Sequence, residues 1–252
     1  MTLKLDKSFS KINKHYSNLH QYNYWKDGFL KIHLENQLID NCLKKNLIKI
    51  FENQNENFYI KDKYKNFNQL DYKLDIKNLD FCLEFIRASN LIDTLNFITC
   101  NDLILSDLNV RINQNKQKKG KFWGKHRDTS YLQNQSLKGR VPPTKVLIYY
   151  PNLQNQNLRE NELKVWPGSH KRIFSNFRLD NFFSFFHEKK IIKTDDENMI
   201  LFDGALMHAV GIPSNSKGNL RLIFGFIDKN QFHNHIDNYD NIIRWNKILN
   251  DN

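Results

Sequence analysis

Eight of the nine glycines lie beyond residue 119, and so do all five prolines. This lopsided punctuation constrains the fold more than any other feature, because glycine and proline gather at turns and are costly inside helices. Between them stand short apolar runs: Leu103–Asn113, Lys145–Tyr150, Glu162–Trp166, Met199–Phe202 and Leu220–Ile227. Each has the length of a strand, and many short strands bounded by turns suggest a sandwich or barrel. Upstream the texture differs. Apolar residues recur at helical spacing in Leu34–Glu52 and again in Leu79–Phe97, while Asn53–Asn78 is polar and aromatic without a clear period. Asn238–Leu249 reads as a closing amphipathic helix. The expected architecture is α+β, with helices packed on a β-sandwich in one domain, residues 1–252. Within it, 1–102 is mainly helical, 103–232 is the β-rich core and 233–252 carries the last helix.

With 252 residues and 40% hydrophobic content the chain can bury a substantial core. A disordered chain and a disulfide-stapled miniprotein are excluded. No apolar run approaches the ~18 residues of a membrane span, so no membrane partner is expected. Met1–Ser17 has neither an apolar stretch nor a small-residue cleavage site, which predicts no signal peptide. Cys42, Cys82 and Cys100 are scattered and odd in number, as in a reducing, cytoplasmic setting. The net charge is +11, but 29 lysines stand against nine arginines beside abundant Asn, Ile, Phe and Tyr. That pattern follows A/T-rich codons. Arginine, the better phosphate ligand, is the scarce cation, which disfavours nucleic acid as a partner.

Three His-x-acid tripeptides occur: His33-Leu-Glu35, His126-Arg-Asp128 and His235-Ile-Asp237. Context chooses the middle one. His208 follows 82 residues later, just after the strand-like Met199–Phe202, and Arg221 opens the next apolar run. In an extended segment residues i and i+2 share a face, so His126 and Asp128 can reach one ion together. Two imidazoles and one carboxylate on one face of an octahedral Fe(II) leave three positions for a 2-oxo acid and O2. Arg221 then offers a planar fork for the far carboxylate of that acid. His170 is read as a loop residue, since Pro167-Gly168 forces a turn beside it.

Three segments carry a family resemblance. Asn161–Lys171, containing Pro167-Gly-Ser-His-Lys171, is similar to the PGSHK stretch of the phytanoyl-CoA dioxygenase superfamily. Met199–His208 resembles that superfamily's strand and turn before the last ligand, and Arg111-Ile-Asn113 resembles the RIN of its ectoine hydroxylase-like branch. The resemblance spans roughly residues 103–227.

It implies a double-stranded β-helix (jelly-roll) core with packed N-terminal and C-terminal helices. It implies Fe(II), 2-oxoglutarate and O2 as cofactors and co-substrates, with His126, Asp128 and His208 as iron ligands. Arg221, Asn113, Thr144 and Arg111 would bind 2-oxoglutarate. Trp123, Tyr131, Trp166 and Phe202 suit a sandwich core, and by position Tyr131, three residues past Asp128, together with Trp166, is the candidate to face the substrate. Val210 departs from the family's small hydroxyl residue, and Pro213–Gly218 lengthens the gap before Arg221. Related halogenases lack the carboxylate that Asp128 supplies, so the implied activity is hydroxylation, or a derived desaturation or cyclisation, of a small molecule. The basic neighbours Arg111, Lys125, Arg127, Lys164, Lys171 and Arg172 suit an anionic substrate. The alternative is a non-catalytic jelly-roll protein that binds an anionic ligand or nucleic acid.

Overall fold

Along β10 (Asn219–Asp228) the side chains alternate between two different cores. Leu222, Phe224 and Phe226 pack with helical residues such as Phe85, Leu95 and Trp245. Ile223 instead packs with Leu147, Tyr149, Ile200 and Phe202 against Leu163, Val165, Ile192 and Val210 of a second sheet. The molecule therefore has three layers, and β10 runs through the middle one. The computed structural model describes residues 17–34, 43, 45–46, 59–63, 69–74, 79–115, 124–128, 143–150, 162–174, 177–193, 198–211, 219–234 and 239–251.

The remaining strands are β1 (Phe29–His33), β2 (Tyr59–Lys63), β3 (Gln69–Leu74), β4 (Leu103–Asn115), β5 (Thr144–Tyr150), β6 (Glu162–Val165), β7 (Lys190–Lys193), β8 (Asn198–Asp203) and β9 (His208–Val210). The middle layer is a seven-stranded sheet in the order β1-β8-β5-β10-β4-β3-β2, and the outer sheet has the order β7-β6-β9. Every pairing in both is antiparallel. The helices are α1 (Asn18–Asp27), α2 (Asp80–Ala88), α3 (Leu91–Thr99), α4 (Phe177–Phe183) and α5 (Tyr239–Asn250). Among the described residues no helix is long and apolar enough to cross a membrane.

The strands expected beyond residue 103 are all present, within a residue or two of their sequence limits, and so is the last helix. Two differences lie upstream. Leu79–Phe97 is two helices, because Asn90 takes a left-handed conformation (φ 48°) and the Ser89 hydroxyl donates back to the Phe85 carbonyl at 2.7 Å. Both residues compete with helical backbone bonding. The first hundred residues also contribute three strands to the large sheet. Most of the expected helix Leu34–Glu52 lies outside the described residues.

Candidate metal centre

The site begins with a short backbone contact. His126 and His208 exchange both backbone hydrogen bonds at 2.9 Å, forming one antiparallel bridge. His208 opens β9, so the bridge lays the His126 segment along the outer sheet. The Asp128 N–H donates to the Gly204 carbonyl at 2.9 Å, which fixes the segment at a second point. Gly204 is obligatory here: a Cβ would stand 2.6 Å from the Pro143 carbonyl oxygen.

The Pro167-Gly-Ser-His stretch supports the same turn. The Ser169 hydroxyl accepts the Met207 N–H at 2.9 Å, and the Trp166 N–H donates to the Met207 carbonyl at 3.0 Å. His170 makes its hydrogen bond to the Trp25 carbonyl at 3.0 Å and lies against Gly28.

These anchors bring His126, Asp128 and His208 together, with a ligand atom from each within 4.8 Å of the others. Both Nε2 atoms are 3.7 Å from Asp128 Oδ1. Each Nδ1 is 2.9 Å from a carbonyl oxygen two residues upstream, Gly124 for His126 and Leu206 for His208. A carbonyl can only accept, so each Nδ1 carries a proton, and Nε2 is the ring atom left to face Asp128 and a metal. Burial lowers the His208 imidazole to about 4, against a smaller upward pull from Asp128, which keeps it neutral at pH 7. The donor set, one carboxylate and two imidazoles, fits a divalent first-row metal. The His126 side chain is 41% exposed and that of His208 3%, so the cluster opens toward solvent on the His126 side.

Arg221 is buried on β10, in register with Tyr149 on one side and Arg111 on the other. Burial pushes the Tyr149 phenol up to about 12, partly offset by the neighbouring Arg221 charge. Asn113 is paired with Asn219 two residues further along β4. Thr144 sits beside the Tyr24 phenol, which belongs to the helix-facing core. The adjacent Lys145 takes the opposite face, with Nζ 3.3 Å from Asp107 Oδ2 across Gly225. Lys145 is in register with Phe202, whose ring centroid is 5.0 Å from that of His208. Its charge is among the influences that lower His208. Lys145 is thus a cation near the cluster that sequence reasoning missed. Trp166 is buried against Met207 and Ala209, with Lys125 Nζ 5.3 Å from its ring centroid. Tyr131 lies outside the described residues.

No family model matches the chain, and no curated protein matches it. Solved structures do. The chain is similar to the non-heme alpha ketoglutarate dependent epimerase SnoN from nogalamycin biosynthesis, at 13% identity over 84% of this chain and 82% of that one, with a TM-score of 0.62. It is similar to EctD from S. alaskensis with bound Fe, at 14% identity over 84% and 77%, with a TM-score of 0.61. It is similar also to a Pseudomonas putida prolyl-4-hydroxylase, at 10% identity over 84% and 98%, with a TM-score of 0.53. At these identities the likeness is one of fold.

Proposed function

We propose that this chain is an Fe(II)/2-oxoglutarate-dependent oxygenase that hydroxylates, or oxidatively desaturates or cyclises, a C–H bond of a small molecule. The observation that carries the reading is the pair of imidazoles whose Nδ1 atoms meet carbonyls and whose Nε2 atoms both aim at Asp128 Oδ1. Fold neighbours support it: SnoN is known in complex with Fe3+, alpha ketoglutarate and nogalamycin RO, and EctD with 2-oxoglutarate and 5-hydroxyectoine. The two sheets are then the halves of a double-stranded β-helix within one domain, and the motif resemblance favours the ectoine hydroxylase-like branch of the phytanoyl-CoA dioxygenase superfamily.

His126, Asp128 and His208 would hold the iron, which when bound supplies the oxidative chemistry on 2-oxoglutarate and O2. Arg221 would grip the distal carboxylate of 2-oxoglutarate, with Arg111 and Asn113 beside it on β4. Burial between the sheets strengthens that attraction by excluding water. Lys145, steadied by Asp107, would offset negative charge gathered near Asp128. Tyr131 would border the substrate and the open His126 side would admit it, whereas Trp166, packed with Met207 and Ala209 beside Lys125 on the side away from the cluster, does not reach it.

Anaerobic addition of Fe(II) and 2-oxoglutarate should give a weak visible charge-transfer band. His126→Ala, Asp128→Ala and His208→Ala should each abolish it. Wild-type iron affinity in His208→Ala would refute the ligand assignment. A library of amino acids, betaine-like solutes, phosphonates and acyl thioesters should then contain a compound that raises succinate formation above the uncoupled background. If none does, and the protein instead binds a polyanion salt-sensitively, the non-catalytic alternative replaces this one.

A further inference from the structure

The side chains of Lys125-His126-Arg127-Asp128 go alternately to two sides of the strip. His126 and Asp128 face the metal cluster. Lys125 and Arg127 face away from it and grip α4 and the 3-10 turn Ser184–Phe186 that follows. Arg127 Nε donates to Asp180 Oδ2 at 2.6 Å and Nη2 to Oδ1 at 2.7 Å, a bidentate pair. Its two side chains are 2% and 1% exposed. Arg127 Nη1 also donates to the carbonyls of Ser169 (2.8 Å) and Ala205. One guanidinium therefore joins α4, the Pro-Gly-Ser-His stretch and the turn leading into His208.

Lys125 makes the second grip, one residue before His126. Its Nζ donates to the Ser184 hydroxyl and to the Asn181 carbonyl (3.3 Å), and lies 4.9 Å from the Phe185 ring centroid. A buried ion pair is a poor device for stability alone, since apolar residues of equal volume hold a helix as well. What the fork adds is direction: it fixes how the strip is rotated about its own axis, and that rotation decides whether His126 and Asp128 both reach His208.

We propose that Arg127 and Lys125 are positioning residues for the metal centre, clamping the ligand-bearing strip to Phe177–Phe186 from behind. The proposal rests on the metal reading given above. Its test is Mn(II) affinity in the full chain, followed by loss of the free-ion EPR signal. Asp180→Asn keeps the shape and removes the charge. It should raise the Mn(II) Kd at least tenfold and broaden the bound-ion line. Asp180→Glu should recover much of the affinity, and Ser184→Ala should cost two- to threefold. The comparison variant is Ile242→Ala in α5, away from the strip, examined at an equal loss of Tm. Equal Kd values in Asp180→Asn and Ile242→Ala would overturn the proposal, because a merely structural pair predicts that result. If Asp180→Asn does not fold, Arg127→Lys, which keeps the charge and loses the fork, takes its place, and unchanged affinity there and in Ser184→Ala overturns it equally. Absence of Mn(II) binding in the wild type would sink the metal reading itself, and this proposal with it.

Discussion

At the scale of single residues the two cations between the sheets make separable predictions. Arg221→Lys replaces a fork with a point charge and degrades charge-assisted bonds worth about 1.5–3 kcal/mol each. The apparent 2-oxoglutarate requirement should rise roughly tenfold or more, with iron affinity little changed. If titration shows no rise, while Lys145→Met produces one, Lys145 is the anchor. His208 sets a pH dependence of stability. Its imidazole ionises at about 4 in the fold, against ~6.5 in the unfolded chain. Between these values the unfolded state binds the extra proton, so stability present above pH 6.5 is lost as the pH falls toward 4. The ceiling is about 3 kcal/mol for metal-free protein. Urea midpoints of chelated protein at pH 7, 5.5 and 4.5 check this, and His208→Gln should flatten the slope. The His126–Asp128–His208 cluster was legible because order selects it: of two His-x-Asp tripeptides only His126-Arg-Asp128 has a later His after a strand and then an Arg. Lys145 was not, because it depends on strand phase. Val146 and Ile148 face the helices while Leu147 and Tyr149 face the outer sheet. With both faces apolar, nothing in the residues says whether Thr144 or Lys145 looks into the site.

Among elements, legibility followed punctuation. The five strands read beyond residue 103 lie in the stretch punctuated by glycine and proline, whereas β7, with neither residue nearby, and the three-residue β9 were not read. β2 was not either, since Tyr-Ile-Lys-Asp-Lys puts charge into both phases, and β3 was missed although Gln-Leu-Asp-Tyr-Lys-Leu alternates polar and apolar residues, because six residues are a short signal inside a long polar stretch. β1 buries Phe29 toward the outer sheet and Ile32 toward the helices, which erases a period-two signal. Among the described residues β3 pairs with β4 only from Arg111 onward, and no described strand lies beside the earlier stretch of β4 on that side. Asn246 of α5 covers the exposed edge: Oδ1 accepts the Leu105 N–H at 3.1 Å and Nδ2 donates to the Leu105 carbonyl at 2.8 Å. Asn246→Ala leaves two backbone groups of a fully buried residue unpaired. It should destabilise by about 1–3 kcal/mol in urea denaturation, with Mn(II) affinity unaltered. A loss below about half a kcal/mol would mean the edge is covered by something else.

On the scale of the whole molecule, three layers place a partly open ligand cluster at a seam. The sheet carrying β5, β8 and β10 lies on one side, and β9 with its bridged partner segment lies on the other. His126 and His208 stand 82 residues apart in sequence yet side by side in space. An ion shared between them is a cross-link that can be made and withdrawn. Closing a loop of that length by a covalent bond would be worth about 4–5 kcal/mol by the chain-entropy relation, a ceiling for a labile bond. Withdrawing the ion should therefore loosen what lies inside the loop before it loosens α5. Limited proteolysis with and without chelator, read by mass spectrometry, should show new cuts first between residues 129 and 207. Cuts appearing first in 239–250 would contradict this. On the proposed function, an ion between His126 and His208 would tie the survival of the chain to metal supply: starved of it, the protein would become a better protease substrate, and its abundance would follow the ion's availability without any separate sensor.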